Sequence, residues 1–241
     1  DGPAGLVPAL PSAQLAALPS RARAPAIPFI AGAVLDEGTG FVPQTLSSTK
    51  DLFAFDDVDA LRALYAAGDG SPFGTGNETF GAGALYKPTA ALFGDMIIQA
   101  PRRAWMQAAA AAGVRAYGYL FADQNTAAAD PSLGVCHGTE VPYVYGFSSV
   151  GAANAESGLL ARAMVDYWVS FAVSGTPNDG KGLARTVWPA YESDNQVLIQ
   201  FDTTNLVSGS GSSNATFAII PDDYRAAPIS LLNSVAADFN Q

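Results

Sequence analysis

The chain has 241 residues and a formal net charge of −10; 49% of the residues are hydrophobic and only 14% are charged. The acidic balance argues against nucleic-acid binding, which needs a basic face, and the apolar content predicts a globular chain with a large core. One histidine and one cysteine exclude a zinc site of clustered His and Cys ligands, an iron–sulfur cluster and an internal disulfide.

The first part of the chain predicts two helices and one buried strand. Residues 13–18 indicate a short Ala-rich helix. The almost wholly apolar residues 26–35 predict a strand buried on both faces, which a glycine turn ends. Residues 57–68 predict an amphipathic helix between an aspartate cap and a glycine stop. The Gly-rich residues 69–83 indicate a loop.

The middle of the chain predicts a broken helix and a second strand. Residues 89–112 predict a helix interrupted at Pro101, because proline lacks the N–H that a helix interior needs. We expect Asp95 to form ion pairs with Arg102 and Arg103 across this break. The aromatic-rich residues 115–121 predict a second buried strand.

The last part of the chain predicts two helices and a third strand. Ser157 is predicted to cap a long helix that Gly175 ends. Residues 197–201 predict a strand, and residues 228–239 a final helix. Strands separated by long helices indicate an α/β fold with a mainly parallel sheet. Three strands are few for so much helix, and this predicts that the chain is part of a larger domain. The inward face of the long helix is expected to carry Leu160, Met164, Trp168 and Phe171.

Two polar residues follow the first two strands in loops, where catalytic groups of α/β sheets gather. Glu37 lies in a glycine-flanked turn, and His137 comes 100 residues later. A carboxylate that accepts the Nδ1 proton of an imidazole leaves Nε2 to activate a hydroxyl nucleophile. The order acid then histidine is that of α/β-hydrolases, although the chain has no G-x-S-x-G pentapeptide. A structural histidine and an exposed turn glutamate remain the alternative interpretation.

Five ordered motifs carry a resemblance to a known family. The chain is similar to the type-B carboxylesterase/lipase family, the cholinesterase-like α/β-hydrolases, and most of all to its fungal lipases and sterol esterases. The motifs are PFIAGAVLDEGTGF at 28–41, FGD with APRR from 93 to 103, LGVCHGTEVPYVYG at 133–146, GTPN at 175–178 and WPAY at 188–191.

The resemblance implies roles for single residues. Glu37 would be the acid and His137 the base of a catalytic triad, with Glu140 behind them helping to orient the loop. Phe41 and Cys136 would approach the substrate pocket. For Cys136 a small buried side chain and a disulfide to a partner chain stay open. No metal or cofactor is implied.

The resemblance also implies what the chain works with. Residues 1–241 resemble the C-terminal half of a single α/β-hydrolase domain, and the serine and oxyanion hole would come from an N-terminal half, either a partner chain in a heterodimer or an upstream segment. A secreted glycoprotein acting on lipophilic esters, with a lipid interface as a further partner, is expected; a non-catalytic adhesion or scaffold protein is the alternative. Asn77 and Asn214 lie in glycosylation sequons.

Overall fold

The computed structural model describes residues 9–20, 27–46, 64–65, 82–128, 130–204, 206 and 214–236. None of the helices within these ranges is both long and apolar enough to cross a bilayer. The described helices are α1 (Pro11–Ala17), α2 (Tyr86–Gly94), α3 (Ala100–Ala111), α4 (Val141–Val144), α5 (Ser148–Ala153), α6 (Ala155–Ser174) and α7 (Ala226–Ser234). The described strands are β1 (Phe29–Val34), β2 (Ala116–Phe121), β3 (Ala184–Arg185), β4 (Val197–Phe201), β5 (Asn214–Ala215) and β6 (Ala218–Pro221).

A four-stranded sheet in the order β1-β2-β4-β6 organises the described residues. Strands β1, β2 and β4 are parallel, and β6 pairs with β4 in the antiparallel direction. The predicted α/β fold with a mainly parallel sheet is confirmed, and each of the three predicted strands forms. The sequence did not predict β6, because its four residues are too short a run to stand out. The β1–β2 register runs from Phe29 beside Ala116 to Val34 beside Phe121.

Helices cover both faces of the sheet because the side chains of β2 alternate between two apolar clusters. On one face, Tyr117 and Phe121 pack with the buried Trp188 and with α6. On the other face, Leu120 packs with Met106 of α3. Leu160 and Met164 of α6 are fully buried in the first cluster, which confirms the predicted inward face of this helix; Trp168 and Phe171 pack against the same cluster and are half-buried.

Two local predictions about the helices are wrong. The chain does not break at Pro101: a π-helical segment, Asp95–Gln99, joins α2 to α3, and Pro101 follows it in the first turn of α3. Ser157 does not cap α6. The cap is Asn154, whose side-chain oxygen accepts the N–H of Ser157. Gly175 ends α6, as predicted, and the structure shows it in the left-handed conformation.

The ion pairs expected across Pro101 form with other partners. Asp95 pairs with Arg225 of the C-terminal region at 2.9 Å. Arg102 and Arg103 both pair with Asp222, at 2.7 and 3.1 Å. All these groups are buried, so the pairs hold the segment after β6 against the π-helical segment and α3. The sequence offered no signal for partners more than 100 residues apart.

Some predictions fall on residues that lie outside the described ranges. The helix at 57–68 and the loop at 69–83, with Asn77, are almost wholly among them. The final helix is described from Ala226 to Ser234, two residues earlier than its predicted start.

Candidate active site

Glu37 lies in the turn that follows β1, with only 6% of its surface exposed. Its Oε1 accepts the N–H of Val34 at 2.7 Å, and its Oε2 lies 2.6 Å from Nδ1 of His137. Burial raises the pKa of Glu37, and the hydrogen bonds from His137 and Val34 oppose this rise. Both carboxylate oxygens are therefore held, one by the backbone N–H at the end of β1 and one by the imidazole.

The Glu37 turn can lie against the helices only because two glycines meet there. A Cβ placed on Gly38 would come within 2.7 Å of the backbone nitrogen of Gly94 and still closer to the carbonyl oxygen of Ala90. A Cβ on Gly94 would in turn lie 3.0 Å from Cβ of Glu37. Gln99 adds a hydrogen bond from its amide to the Val34 carbonyl at 3.1 Å. The helical segment thus supports the acid from behind.

His137 lies in the loop after β2, and this loop is fastened to the Glu37 turn. Asp36, just after β1, and Cys136, in the loop after β2, form an isolated parallel bridge that is separate from the β1–β2 ladder. The N–H of Asp36 donates to the Val135 carbonyl at 3.0 Å, and the N–H of Val135 donates to the Asp36 carboxylate at 2.9 Å. Glu37 and His137 each follow one residue after the bridge, so their side chains meet.

A buried lysine stabilises this fastening. Nζ of Lys87, on α2, lies 3.7 Å from Oδ1 of Asp36, and both side chains are only 3% exposed. On the other side of the turn, the hydroxyl of Thr39 donates to the Leu133 carbonyl at 2.6 Å. Sequence reasoning missed Asp36, Lys87 and Thr39. For Asp36 the only available signal was its position, next to Glu37 at the end of an apolar strand.

The histidine is the solvent-facing member of the pair, with half of its side chain exposed. Within the described residues, Glu37 is its only hydrogen-bond partner, through Nδ1. Nε2 is therefore the nitrogen left to exchange a proton with another group. The Phe41 ring lies 5.4 Å from the imidazole, centroid to centroid, and is 55% exposed, so an apolar surface borders the imidazole.

The remaining predicted residues lie around the pair in different settings. Glu140 is close enough to raise the pKa of Glu37 further, but its buried Oε2 has no hydrogen-bond partner among the described residues. Cys136 is half-buried with a free thiol, and burial raises its pKa. Asn214 is exposed on β5. In the described part of the chain, no group of three His, Cys, Asp or Glu residues could hold a metal ion.

Comparison with known proteins gives the chain its family. The model of the carboxylesterase family matches residues 4–218. The chain is 28% identical over 218 residues to lipase 2 of Geotrichum candidum, covering 85% of this chain and 34% of that lipase. It is 30% identical over 222 residues to a secreted triacylglycerol lipase of Gibberella zeae, covering 83% of this chain and 33% of that lipase.

The chain also matches an animal enzyme over a shorter stretch. The chain is 33% identical over 123 residues to acetylcholinesterase of Gallus gallus, covering 50% of this chain and 16% of that enzyme. The chain spans about a third of the length of the two fungal lipases. The family match confirms the resemblance found in its motifs and the α/β-hydrolase fold. The chain belongs to the carboxylesterase family.

Proposed function

We propose that the chain is the C-terminal part of a serine ester hydrolase, in which Glu37 is the acid and His137 the base of the catalytic triad. The observation that carries the proposal is the 2.6 Å contact between Glu37 Oε2 and His137 Nδ1, in a chain of the carboxylesterase family. The nucleophilic serine and the oxyanion hole would belong to the rest of the enzyme, on a partner chain or an upstream segment.

The chemistry follows from the geometry of the pair. Glu37 fixes the imidazole tautomer with the proton on Nδ1 and stabilises the imidazolium that forms during reaction. Nε2 of His137 removes the serine proton as the hydroxyl attacks the ester carbonyl, and then gives the proton to the leaving alcohol. In the second half-reaction the same nitrogen activates water, which releases the acid product. None of these reaction steps calls for a metal or an organic cofactor.

The β1 edge of the sheet supports the proposal that the enzyme has an N-terminal part beyond this chain. The N–H of Phe29 donates to the Arg115 carbonyl on the β2 side, so Ile30 and Gly32 of β1 turn their backbone groups to the opposite edge. No residue in the described ranges bonds to the backbone groups of Ile30 and Gly32 at that edge. An unpaired parallel strand readily adds a neighbour, and we propose that the N-terminal part of the enzyme supplies it.

We propose a secreted enzyme acting on lipophilic esters. The name of the Gibberella zeae relative describes a secreted triacylglycerol lipase. Val141, Tyr145 and Phe147, which closely follow His137 in sequence, are all exposed, and the last two rings lie 6.2 Å apart. This apolar surface supports contact with a lipid interface or a lipophilic ester. We further propose N-linked glycans on Asn77 and Asn214, in keeping with the exposure of Asn214.

The test uses the complete enzyme and a fluorophosphonate probe, which reacts with an activated serine. We expect the probe to label the part that this chain lacks and to leave residues 1–241 unlabelled. His137→Ala should remove both labelling and ester hydrolysis while the melting temperature stays close to that of the unmodified enzyme. Near-normal turnover in this variant would contradict the mechanism.

Two further outcomes separate the alternatives. An unmodified protein that neither reacts with the probe nor hydrolyses esters would favour the adhesion or scaffold interpretation. Relative rates on acetyl and long-chain acyl esters of one alcohol distinguish a short-chain carboxylesterase from a lipase or sterol esterase. We expect the long-chain esters to react faster.

A further inference from the structure

Asp123, just past the end of β2, is a fully buried carboxylate without a basic partner in the described part of the chain. Hydrogen bonds take the place of a counter-ion. Its Oδ1 accepts from the Asn125 backbone and amide and from the Thr203 hydroxyl, and its Oδ2 accepts from the Tyr143 hydroxyl at 2.7 Å and the Ser157 hydroxyl at 3.1 Å. Burying a charged group is costly unless hydrogen bonds compensate for the lost water. The number of donors gathered on this one carboxylate therefore requires an explanation.

The explanation lies in the segment that Asp123 closes. We call residues 123–143 the histidine segment, because they contain His137. Asp123 lies at one end of this segment and Tyr143, on α4, at the other, so their hydrogen bond joins its two ends. The Tyr143 ring also packs edge-on against Phe121 of β2, with centroids 4.9 Å apart. The contact between the Tyr143 and Phe121 rings holds α4 against β2. The hydrogen bond from the Tyr143 hydroxyl to Asp123 holds α4 at the end of that strand.

His137 needs support of this kind because its own contacts are few. Half of its side chain is exposed, and its ring makes one hydrogen bond among the described residues, to Glu37. The bridge between Asp36 and Cys136 holds the loop just before the histidine. The bond between Asp123 and Tyr143 holds it after the histidine. A displacement of about 1 Å at a catalytic group costs roughly a hundredfold in rate.

We propose that Asp123 and Tyr143 are positioning residues for His137: their hydrogen bond holds the histidine segment so that Nε2 faces the nucleophile while Nδ1 stays on Glu37. The inference rests on the proposed ester hydrolase function. Ser157, at the start of α6, ties the same carboxylate oxygen to the helix that packs on the sheet. The hydrogen bonds of Asp123 therefore anchor the histidine segment to the core and not to the solvent-facing loops.

The test compares Tyr143→Phe with a matched variant, Tyr191→Phe, in the complete enzyme. Tyr191 is also a buried tyrosine that donates to a buried aspartate, Asp222 Oδ2, at 2.9 Å. It lies at the other end of β2, where its N–H donates to the Ala116 carbonyl. Each variant loses one phenol–carboxylate bond and keeps its ring, so we expect similar decreases in melting temperature.

Only Tyr143→Phe should change the reaction. We expect kcat to fall by about tenfold or more with little change in KM, and Tyr191→Phe to keep the kcat of the unmodified enzyme. Thr203→Val is a second control, because it removes a donor from Oδ1 and leaves the bond of Tyr143 to Oδ2. Equal kcat values in Tyr143→Phe and Tyr191→Phe would overturn the proposal.

A second measurement separates this proposal from the proposed function. The Nδ1–H proton of His137 can be assigned by NMR from its absence in His137→Ala. We expect this resonance to exchange faster with solvent in Tyr143→Phe and to be unchanged in Tyr191→Phe. If the unmodified enzyme hydrolyses no ester, the proposed function fails, and the NMR result still decides whether Tyr143 positions His137. An unchanged resonance in Tyr143→Phe would overturn the positioning role.

Discussion

Nδ1 of His137 lies 2.6 Å from Oε2 of Glu37, yet the carboxylate is almost wholly buried and the imidazole is half exposed. This asymmetry suits a division of labour. In the proposed triad, Glu37 would keep a fixed orientation and be screened little by water, whereas His137 would be open to a substrate. It also means that the acid can be altered with little effect on the outer surface of the site.

Glu37→Gln tests the acid. We expect kcat to fall by about 10³–10⁴-fold with KM nearly unchanged, because the amide keeps the shape of the side chain but no longer fixes the tautomer or stabilises the imidazolium. Steady-state kinetics on a soluble ester provide the measurement. A variant that retains more than a tenth of the original kcat would contradict the role of Glu37.

The raised pKa of Glu37 predicts a pH-dependent difference in stability. A carboxyl whose pKa is higher in the folded protein binds its proton more tightly there, so it contributes stability at low pH and loses that contribution as pH rises through the raised pKa. Glu37→Gln cannot titrate. We therefore expect the unmodified protein to be more stable relative to this variant below pH 4.5, the ordinary pKa of a glutamate, than at pH 7. Denaturant unfolding at both pH values measures the difference.

The pKa of Asp222 is shifted in the opposite direction from that of Glu37. Burial alone would raise its pKa, but the hydrogen bonds and charges of Arg102 and Arg103 outweigh burial and lower it. Its stabilisation is therefore present above the ordinary aspartate pKa and lost as pH falls through the lowered value. We expect Asp222→Ala to destabilise the protein by about 3–5 kcal/mol at pH 7, because two buried guanidinium groups lose their partner.

The control for Asp222→Ala is Asp194→Ala, an exposed aspartate in the turn before β4. Its removal should change the free energy of unfolding by less than about 0.5 kcal/mol. Similar losses in the two variants would contradict the buried-pair argument.

Gly38→Ala tests the close approach behind the acid. The new methyl group would overlap the backbone of α2, so we expect a loss of about 1–3 kcal/mol in stability and a marked fall in activity as the Glu37 turn is displaced. Gly40→Ala is the matched control in the same turn, because a Cβ there would meet no atom within 4 Å. Melting temperatures and kcat of the two variants are compared. Equal effects would show that the turn tolerates a side chain at Gly38.

The sequence predicted those parts of the molecule that depend on local patterns. Continuous apolar runs located β1, β2 and β4 because strands buried on both faces carry no polar alternation. The motifs predicted that Glu37 and His137 belong together, and the structure brings them into contact. Their catalytic roles stay a prediction.

The remainder depends on contacts between distant residues. Arg225 reaches Asp95 across 130 residues, and Tyr143 reaches Asp123 from beyond the histidine. Neither partner is marked by periodicity, capping or composition. The π-helical segment before Pro101 begins directly after Gly94, which lies against the Glu37 turn, and no local propensity marks this segment in the sequence.

The bridge between Asp36 and Cys136 sets the spacing of the two site residues. Because Glu37 and His137 each follow one residue after this bridge, a slip of one residue in its pairing would move them apart by about 3.3 Å and break the 2.6 Å contact between Glu37 Oε2 and His137 Nδ1. The distance between Glu37 and His137 therefore depends on this pairing rather than on how many residues the chain places between Asp36 and Cys136.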